Sequence, residues 1–406
     1  MLTFIPDIAA EHYEELQFLW MQRRSALRSP AYTMREMRML EERIEAHVQG
    51  MLVLGDRLGE FVADGLAGDD EMPAFAAAYV LLRLGTPGAF GRVYAAFTSG
   101  EGKRLAGITE ALAQGPSQPL LPALQALFLS AAPATAVAAG EALAFHRALQ
   151  VTPEQLGPLL RDESPPVRRG AWRIAGIAGV PVAPTLYDEA LRDLDTDVQR
   201  AALAAAAWNA YPGWVPFCRS LANDPKPEIV EPLATLAAVL PPRDLPAMTS
   251  LVGTAALGPE RFRVAGSFGH PGLIEVLLSA MAGSDPAAAA AAGAAFGKMM
   301  GIAIDSDRRA TVPPPTGAPA DSFEAEFQDI VTLPDVARAR AHWEHVRPRL
   351  AQASRVCRGL DVSAGITRDT FGQLDMESRH ELCLRARLTS GWQGSPLALE
   401  QFPLRG

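Results

Sequence analysis

Few side chains in this sequence have the spacing that metal binding or catalysis requires. His342 and His345 stand three residues apart, so on a helix they share one face and could begin a metal site. The sequence has no HExxH motif, and it offers no third ligand near the pair. The pattern therefore favours a solvated or capping pair of histidines, and we expect no bound metal.

Two further motifs match catalytic signatures only in part. The stretch Ser99-Gly-Glu-Gly-Lys-Arg104 is rich in glycine, but it lacks the GxxxxGK[ST] pattern of a phosphate loop, so we predict a turn between helices. Cys357 has no assigned histidine and acidic partner, which favours a packed thiol over a nucleophile. Paired catalytic carboxylates do not stand out from the other acidic residues. The sequence therefore predicts no catalytic residue, no cofactor and no enzymatic activity.

Composition favours an all-α protein with a large core. Hydrophobic residues make up 49% of the 406 residues and aromatic residues 7%, while alanine is abundant. Sheets prefer aromatic and β-branched residues, so this balance indicates closely packed helices. The three cysteines, Cys218, Cys357 and Cys383, are scattered, and we expect reduced thiols.

The charge and the apolar segments restrict partners and location. The net charge of −9 opposes binding to nucleic acid and favours encounter with a basic protein. The first residues lack the pattern of a secretory signal, and glycine, proline or charge interrupts each apolar stretch. We expect a cytoplasmic protein without nucleic-acid or membrane partners.

One short pattern recurs along the chain: an acidic residue near a proline, an aliphatic residue five positions later and then an alanine-rich stretch. Its clearest copies begin at Asp162, Asp193 and Asp224, at intervals of 31 residues. A fixed period of this length indicates a repeat architecture. With one step of 30 in each direction, the predicted repeat starts are Asp70, Glu101, Ala132, Asp162, Asp193, Asp224, Ala255 and Asp285.

Each repeat begins like a helix, because aspartate caps the first turn and proline is tolerated at the first helical position. A unit of 31 residues holds two helices of about 10 to 12 residues and two turns. Neither helix buries its apolar face alone, so the units must stack. Ten residues after each start the chain is apolar, which places Trp172 in the core. We predict an all-α fold, an α-solenoid of about eight short HEAT-like helical hairpins with a helical N-terminal cap and a C-terminal helical tail.

The segments on either side of the repeats have their own patterns. Thr33-Met-Arg-Glu36 is a capping box that opens a helix over 34–49, with Gly50 as its predicted stop. Three consecutive prolines from Pro313 favour an extended linker before two further helical stretches, around 333–354 and 370–389. The predicted domains are a cap over 1–60, the repeats over 61–310, the linker over 311–322 and a helical segment over 323–406.

Two N-terminal stretches carry a resemblance to a known family: Glu11-His-Tyr-Glu-Glu-Leu-Gln-Phe-Leu-Trp20 and Leu40-Glu-Glu-Arg-Ile-Glu-Ala-His-Val-Gln-Gly50. They are similar to a bacterial family of HEAT-like repeat proteins found in type VI secretion gene clusters. The similarity continues from Asp285 to Asp305 and again near Asp329 to Trp343, with a looser match after residue 305. The resemblance implies a context of toxin delivery between bacteria, and it transfers no catalytic residues.

This context gives several candidate functions. The first is an immunity protein that binds and neutralises a toxic effector; an adaptor or chaperone for effector loading and a structural scaffold are the alternatives. A lyase-like HEAT-repeat enzyme, with Glu344 or a groove carboxylate as acid or base, is less favoured. The expected partner is a protein, either a secreted effector such as a basic nuclease or a secretion component.

Candidate contact residues follow from the repeat. Residues just after each repeat start lie on one edge of a solenoid, where a partner would meet them, although for any single one a cap or a solubilising charge is the favoured interpretation. Three aromatic residues near one helix end could anchor a partner or close the hairpin against its neighbour. The candidates are Arg168, Arg169, Asp195, Asp197, Arg200, Lys226, Glu228, Trp208, Tyr211 and Trp214.

Overall fold

The computed structural model describes residues 6–312, 330–389 and 394–402. Within these ranges the fold is all-α, as predicted, with two small antiparallel two-stranded sheets beside the helices. The predicted linker over 311–322 lies outside the described residues from residue 313 onwards.

The chain divides into two compact units, each built from segments that are not contiguous in sequence. Unit 1 comprises Met1–Leu27, Arg35–Trp214 and Gly394–Gly406, and unit 2 comprises Arg28–Met34 and Val215–Gln393. The sequence placed no boundary near residue 214, and it treated 323–406 as one segment. The last of these residues belong instead to unit 1.

Helices α1 to α13 include the predicted cap and the first five hairpins. Most hairpins consist of a first helix and a longer, alanine-rich second helix. The bounds are α1 Pro6–Ala26, α2 Met34–Leu52, α3 Leu58–Phe61, α4 Ala63–Ala67, α5 Glu71–Leu84, α6 Pro87–Thr98, α7 Gly102–Gln114, α8 Leu121–Ser130, α9 Pro133–Phe145, α10 Pro153–Leu160, α11 Pro165–Ala178, α12 Pro184–Ala190 and α13 Thr196–Trp208.

Three further hairpins follow, which makes eight among the described residues, in agreement with the predicted number. The remaining elements are α14 Trp214–Leu221, α15 Val230–Val239, α16 Leu245–Gly253, α17 Phe262–Phe268, α18 Ile274–Met281, α19 Pro286–Met300, β1 Asp305–Thr311, β2 Ile330–Pro334, α20 Val336–Val346, β3 Val356–Cys357, β4 Leu360–Asp361, α21 Arg368–Gln373 and α22 Met376–Leu388.

The second helices stack on one another in chain order. In unit 1, α5 packs on α7, α7 on α9, α9 on α11 and α11 on α13; in unit 2, α15 packs on α17 and α17 on α19. A second helix therefore has a neighbour on each side as well as its own first helix. This explains the alanine-rich sequence, because only small side chains let helices approach closely on several faces.

Two glycines show how close this approach is. A Cβ at Gly107 of α7 would lie 2.2 Å from the carbonyl oxygen of Glu71 on α5, and one at Gly170 of α11 would lie 2.1 Å from Cγ1 of Val137 on α9. Neither contact leaves room for a methyl group. Trp172 is buried in the core beside Tyr187, with 4.9 Å between ring centroids, as its repeat position predicted.

Some of the predicted helix caps are confirmed and others are displaced. Asp285 caps α19 by accepting hydrogen bonds from the amides of Ala287 and Ala288, and Thr152 opens α10 with a capping box. At Asp162 and Asp193, however, the helix begins a few residues later. Each of these two carboxylates accepts the backbone N–H two positions on, in an Asx turn that precedes the true N-cap.

Helix α2 corrects another prediction. It begins at Met34 as expected but continues past Gly50 to Leu52. Gly50 lies inside the helix and against α1: a Cβ there would lie 2.4 Å from Nε2 of His12, so a larger residue would displace the imidazole.

The region after α19 is less helical than predicted. Gly301, in the left-handed conformation with φ 73°, ends the helix, and the chain continues into β1. Strand β1 pairs with β2, and β3 pairs with β4, both antiparallel. The expected helices appear as the shorter α20 and as α21 with α22. The described residues from 330 onwards are therefore a mixture of helices and short strands.

Candidate partner-binding surface

Arg168 and Asp195 are structural residues in this fold. The guanidinium of Arg168 forms a two-point ion pair with Asp193, at 2.8 and 2.9 Å, and also donates to the carbonyl oxygen of Asp162. The hydrogen bonds from Arg168 hold the pKa of Asp193 below its usual value. Asp195 caps α13 through the amides of Asp197 and Val198. Both predicted contact residues thus stabilise helix starts.

The other predicted charges remain on the surface. Arg169 is exposed, and Asp197 and Arg200 form an ion pair of 2.6 Å whose side chains are each 52% exposed. In unit 2, Glu228 is exposed and Lys226 lies 3.7 Å from Asp224. Exposed pairs of this kind contribute little to stability, so these side chains are available to a partner.

Burial removes two of the three aromatic candidates. Trp208 and Trp214 are 3% and 1% exposed, so neither reaches a partner. Tyr211 is half-buried; its ring stacks on Tyr187 at 4.7 Å, and its hydroxyl donates to Asp188 at 2.7 Å. The aromatic group closes its hairpin, which was the alternative interpretation.

The catalytic alternatives acquire no supporting geometry. Burial raises the pKa of Cys357 to about 12, which keeps the thiol protonated. Arg104 donates to the carbonyl oxygens of Ala67 and Ser99, so the glycine-rich stretch is a closed turn between α6 and α7. Burial and the neighbouring His345 lower the pKa of His342. Glu344 is exposed on α20. In the described part of the chain, no three His, Cys, Asp or Glu side chains converge as a metal site would need.

Unit 1 also has a row of charged side chains on successive second helices, none of which is among the predicted contact residues. At one end, Arg24 of α1 contacts Glu110 of α7 and lies 2.6 Å from Glu71 of α5. Burial alone would lower the pKa of Arg24, but the two carboxylates outweigh it and raise that pKa above its usual value. Trp20 donates its indole N–H to Glu110 at 2.9 Å. This end of the row is therefore held together by ion pairs and a hydrogen bond.

A second ion pair lies on α9 and α11, close enough for Arg173 to interact electrostatically with Glu110 and Arg24. Glu141 of α9 lies 3.1 Å from Arg173 of α11, with side-chain exposures of 20% and 40%. We call the set Arg24, Glu71, Glu110, Glu141 and Arg173 the charged row. It offers three carboxylates and two guanidinium groups, half-exposed, from α1 and four successive second helices.

A pocket adjoins the charged row. Its volume is about 270 Å³, below the range of about 300 to 1,000 Å³ common for small-molecule sites, so it suits a single side chain. Glu45 on its rim binds Arg83 through two contacts of 2.7 Å. Acidic, basic and aromatic groups surround the pocket: Trp20, Arg23, Arg38, Glu41, Glu42, Ile44, Glu45 and Tyr79.

A sequence signal for part of the charged row did exist. The position ten residues after each repeat start is apolar, and the position before it holds Glu110 in one repeat and Glu141 in the next. Acidic residues beside a buried position in successive repeats indicate that they lie along the same edge of the stacked helices. Arg24 has no such signal, because it lies outside the repeats.

Comparison with known proteins identifies no family for this chain. No family model matches the sequence, and no curated protein matches it. Among solved structures, the X-ray structure of YibA from Escherichia coli is similar at 18% identity and a TM-score of 0.40, over 58% of this chain and 89% of that chain. No helix among the described residues combines the length and apolarity that a membrane crossing requires.

Proposed function

We propose that this chain binds another protein through unit 1 and does not act as an enzyme. The observation that carries the proposal is the charged row, in which α5, α7, α9 and α11 each contribute a partly exposed charged side chain to two adjacent sets of ion pairs. A series of this kind can meet several side chains of a partner at once. Half-buried charges also discriminate between partners, because a wrong partner leaves them desolvated and unpaired.

The charge of the chain favours a basic partner. The charged row holds one more carboxylate than guanidinium groups, and the whole chain has a net charge of −9. Opposite charge accelerates encounter, so binding should weaken as salt screens the attraction.

The finer proposal is a role in type VI secretion. It rests on the resemblance of the stretches at Glu11 to Trp20 and Leu40 to Gly50, and on nothing in the fold. In this proposal the chain is a cytoplasmic immunity protein that binds and neutralises a cognate toxic effector. An adaptor that loads the effector would use the same surface.

Affinity capture from bacteria that carry the genes next to the gene for this chain tests both the proposed protein binding and the proposed role in type VI secretion. The unchanged chain should enrich one effector or secretion component and should protect cells in which that effector is co-expressed. Glu71→Lys should weaken capture at least tenfold, because it replaces a carboxylate of the charged row with a cation that repels a basic partner. Asp307→Lys, on exposed strand β1 of unit 2, changes charge equally and serves as the matched control.

The outcomes separate the levels of the proposal. Capture that fails for Glu71→Lys but not for Asp307→Lys supports binding through the charged row. Capture without protection favours the adaptor role. If the unchanged chain captures no protein and gives no protection, the proposed function is wrong.

A further inference from the structure

A short segment from the far end of the chain lies across unit 1. Residues 394–402 meet the C-terminal ends of three successive second helices. Gln114, the last residue of α7, donates to the carbonyl oxygen of Glu400 at 3.2 Å, and Gln401 donates to that of Phe145, the last residue of α9, at 3.3 Å. Beyond them, the ring of Pro396 lies 3.5 Å from the Cβ position of Gly179, which ends α11.

The segment is anchored by apolar side chains on one of its faces. Leu397, Leu399 and Phe402 are 2%, 9% and 0% exposed. The backbone is extended at Ala398 and Phe402, with a 3-10 turn over Leu399–Gln401 between them. Extended residues two apart share a face, and so do residues three apart in a 3-10 turn. The spacing Leu-x-Leu-x-x-Phe therefore presents all three anchors to unit 1.

The polar groups that hold the segment have other partners in unit 1. Arg23 donates to the carbonyl oxygen of Phe402 at 3.0 Å, but it also lies 3.5 Å from Glu41 and over the ring of Trp20. Arg173 is attracted to Glu400, yet Glu141 lies 3.1 Å away. If the segment leaves, neither guanidinium group becomes an unpaired buried charge. Release of the segment therefore avoids the large free-energy cost of such a charge.

We propose that the ends of α7, α9 and α11 form a docking site for an extended peptide, which residues 394–402 occupy reversibly. The inference rests on the proposed protein-binding function and names the partner's chemistry. The partner presents two aliphatic anchors and one aromatic anchor at the spacing Leu-x-Leu-x-x-Phe, with an acidic residue opposite Arg173. The segment and the partner then compete for one surface.

An exchange experiment tests this proposal on the full chain. Residues 390–393 are replaced by a protease site, so the protein folds intact and is cut afterwards. A fluorescent peptide of residues 394–406 should then bind the cut protein saturably, and the uncut protein at least tenfold more weakly, because the tethered segment competes at high effective concentration. The peptide with Leu397→Asp and Phe402→Ala should bind at least tenfold more weakly than the unchanged peptide. The Gly394→Ala peptide is the matched control, since Gly394 is exposed.

A peptide display library selected on the cut protein tests the partner chemistry. The proposal expects a consensus with aliphatic and aromatic anchors at the spacing of Leu397, Leu399 and Phe402. A library that returns no spaced apolar consensus would contradict it.

Three outcomes overturn the proposal. The cut protein could keep its own segment through gel filtration and never exchange it, or it could unfold once the segment leaves; either result makes the segment a permanent part of the core. Uncut copies that exchange segments and form dimers would make the surface a self-association site. If these results appear while capture through the charged row succeeds, the proposed function stands and only the peptide site is lost.

Discussion

In unit 2, Nζ of Lys298 on α19 lies 2.8 Å from a carboxylate oxygen of Glu377 on α22, although 79 positions separate the two residues. The same nitrogen lies 2.8 Å from Glu381, one turn further along α22. Ser267 donates to Glu381 at 2.6 Å, and Arg263 lies 3.3 Å from Glu377. One buried ammonium group therefore joins the last repeat helix to the C-terminal part of unit 2.

Replacing this lysine should strongly destabilise the protein. Lys298→Met leaves the buried Glu381 without a cation and Glu377 with only the half-exposed Arg263. Breaking a buried ion pair in this way costs about 3–5 kcal/mol. Urea unfolding followed by circular dichroism measures the loss. Lys103→Met removes an exposed lysine and should change stability by less than about 0.5 kcal/mol. Equal effects of the two substitutions would show that the cluster does not stabilise the fold.

The two glutamates should respond differently to pH. Burial raises the pKa of Glu377, but Lys298 lowers it by more, so that pKa lies below its usual value. For Glu381, burial is the largest effect and the pKa is raised, with Glu377 adding to the rise against the pull of Lys298. At neutral pH, Glu377 therefore contributes stability as a carboxylate, whereas ionised Glu381 is penalised.

Amide substitutions separate these roles. Glu377→Gln should lose about 1.5–3 kcal/mol at pH 7, as for a hydrogen bond to a charged group. The difference from the unchanged protein should shrink as pH falls from the unfolded pKa near 4.5 through the lower folded pKa, because protonation removes the same charge. Glu381→Gln should cost less than about 1 kcal/mol at pH 7. Urea titrations at several pH values measure both, and equal losses at pH 7 would contradict the assignment.

Arg355 should be hard to replace even by lysine. Its guanidinium donates to the carbonyl oxygens of Ala237, Ala238 and Leu240, at the end of α15, and of Ser267, near the end of α17. Burial lowers the pKa of Arg355 to about 9, so the group remains charged at neutral pH.

Lysine offers one compact ammonium group and cannot reach four carbonyl oxygens in this planar arrangement. Arg355→Lys should therefore cost about 2–4 kcal/mol, the value of one or two charged hydrogen bonds. Arg349→Lys, at an exposed arginine nearby in sequence, is the control and should leave the urea midpoint unchanged. A tolerated Arg355→Lys would mean that water can take over these carbonyl groups.

Two glycines of unit 1 should respond to alanine with opposite signs. Gly107→Ala places a methyl group 2.2 Å from a backbone oxygen and should cost about 1–3 kcal/mol through overpacking. Gly91, inside α6, has no atom within 4 Å of its Cβ position, and alanine there should add about 0.5–1 kcal/mol by favouring the helix. Thermal melting compares the midpoint of each variant with that of the unchanged protein. A stabilising Gly107→Ala would show that α5 and α7 can separate without loss.

The three thiols should be unreactive in the folded protein. Burial is the first cause of a raised pKa at each, to about 12 for Cys218, Cys357 and Cys383. A thiol reagent at pH 8 should label none of them within minutes in native buffer and all three in denaturant. Fast native labelling would indicate that unit 2 opens readily.

The sequence predicted the repeats well because their signal is local. Helix caps such as Asp285 and the capping box at Thr152 depend on neighbouring residues, and the period of 31 follows from counting. The charged row could be predicted only in part, because Glu110 and Glu141 occupy equivalent repeat positions whereas Arg24 does not. Lys298, Glu377 and Arg355 gave no signal, since each meets its partners through contacts between residues distant in sequence.

The composition of unit 1 from early and late parts of the sequence also matters during translation. Unit 1 includes residues 394–402, so its helices emerge from a ribosome long before their last element exists. At about 5–20 residues per second, translation of the part of the chain between Trp214 and Gly394 takes on the order of ten seconds or more. During that interval the sites for Leu397 and Phe402 stand open on the nascent protein. Under the proposed exchange, a partner peptide present at that stage would meet these sites with no competing segment on them.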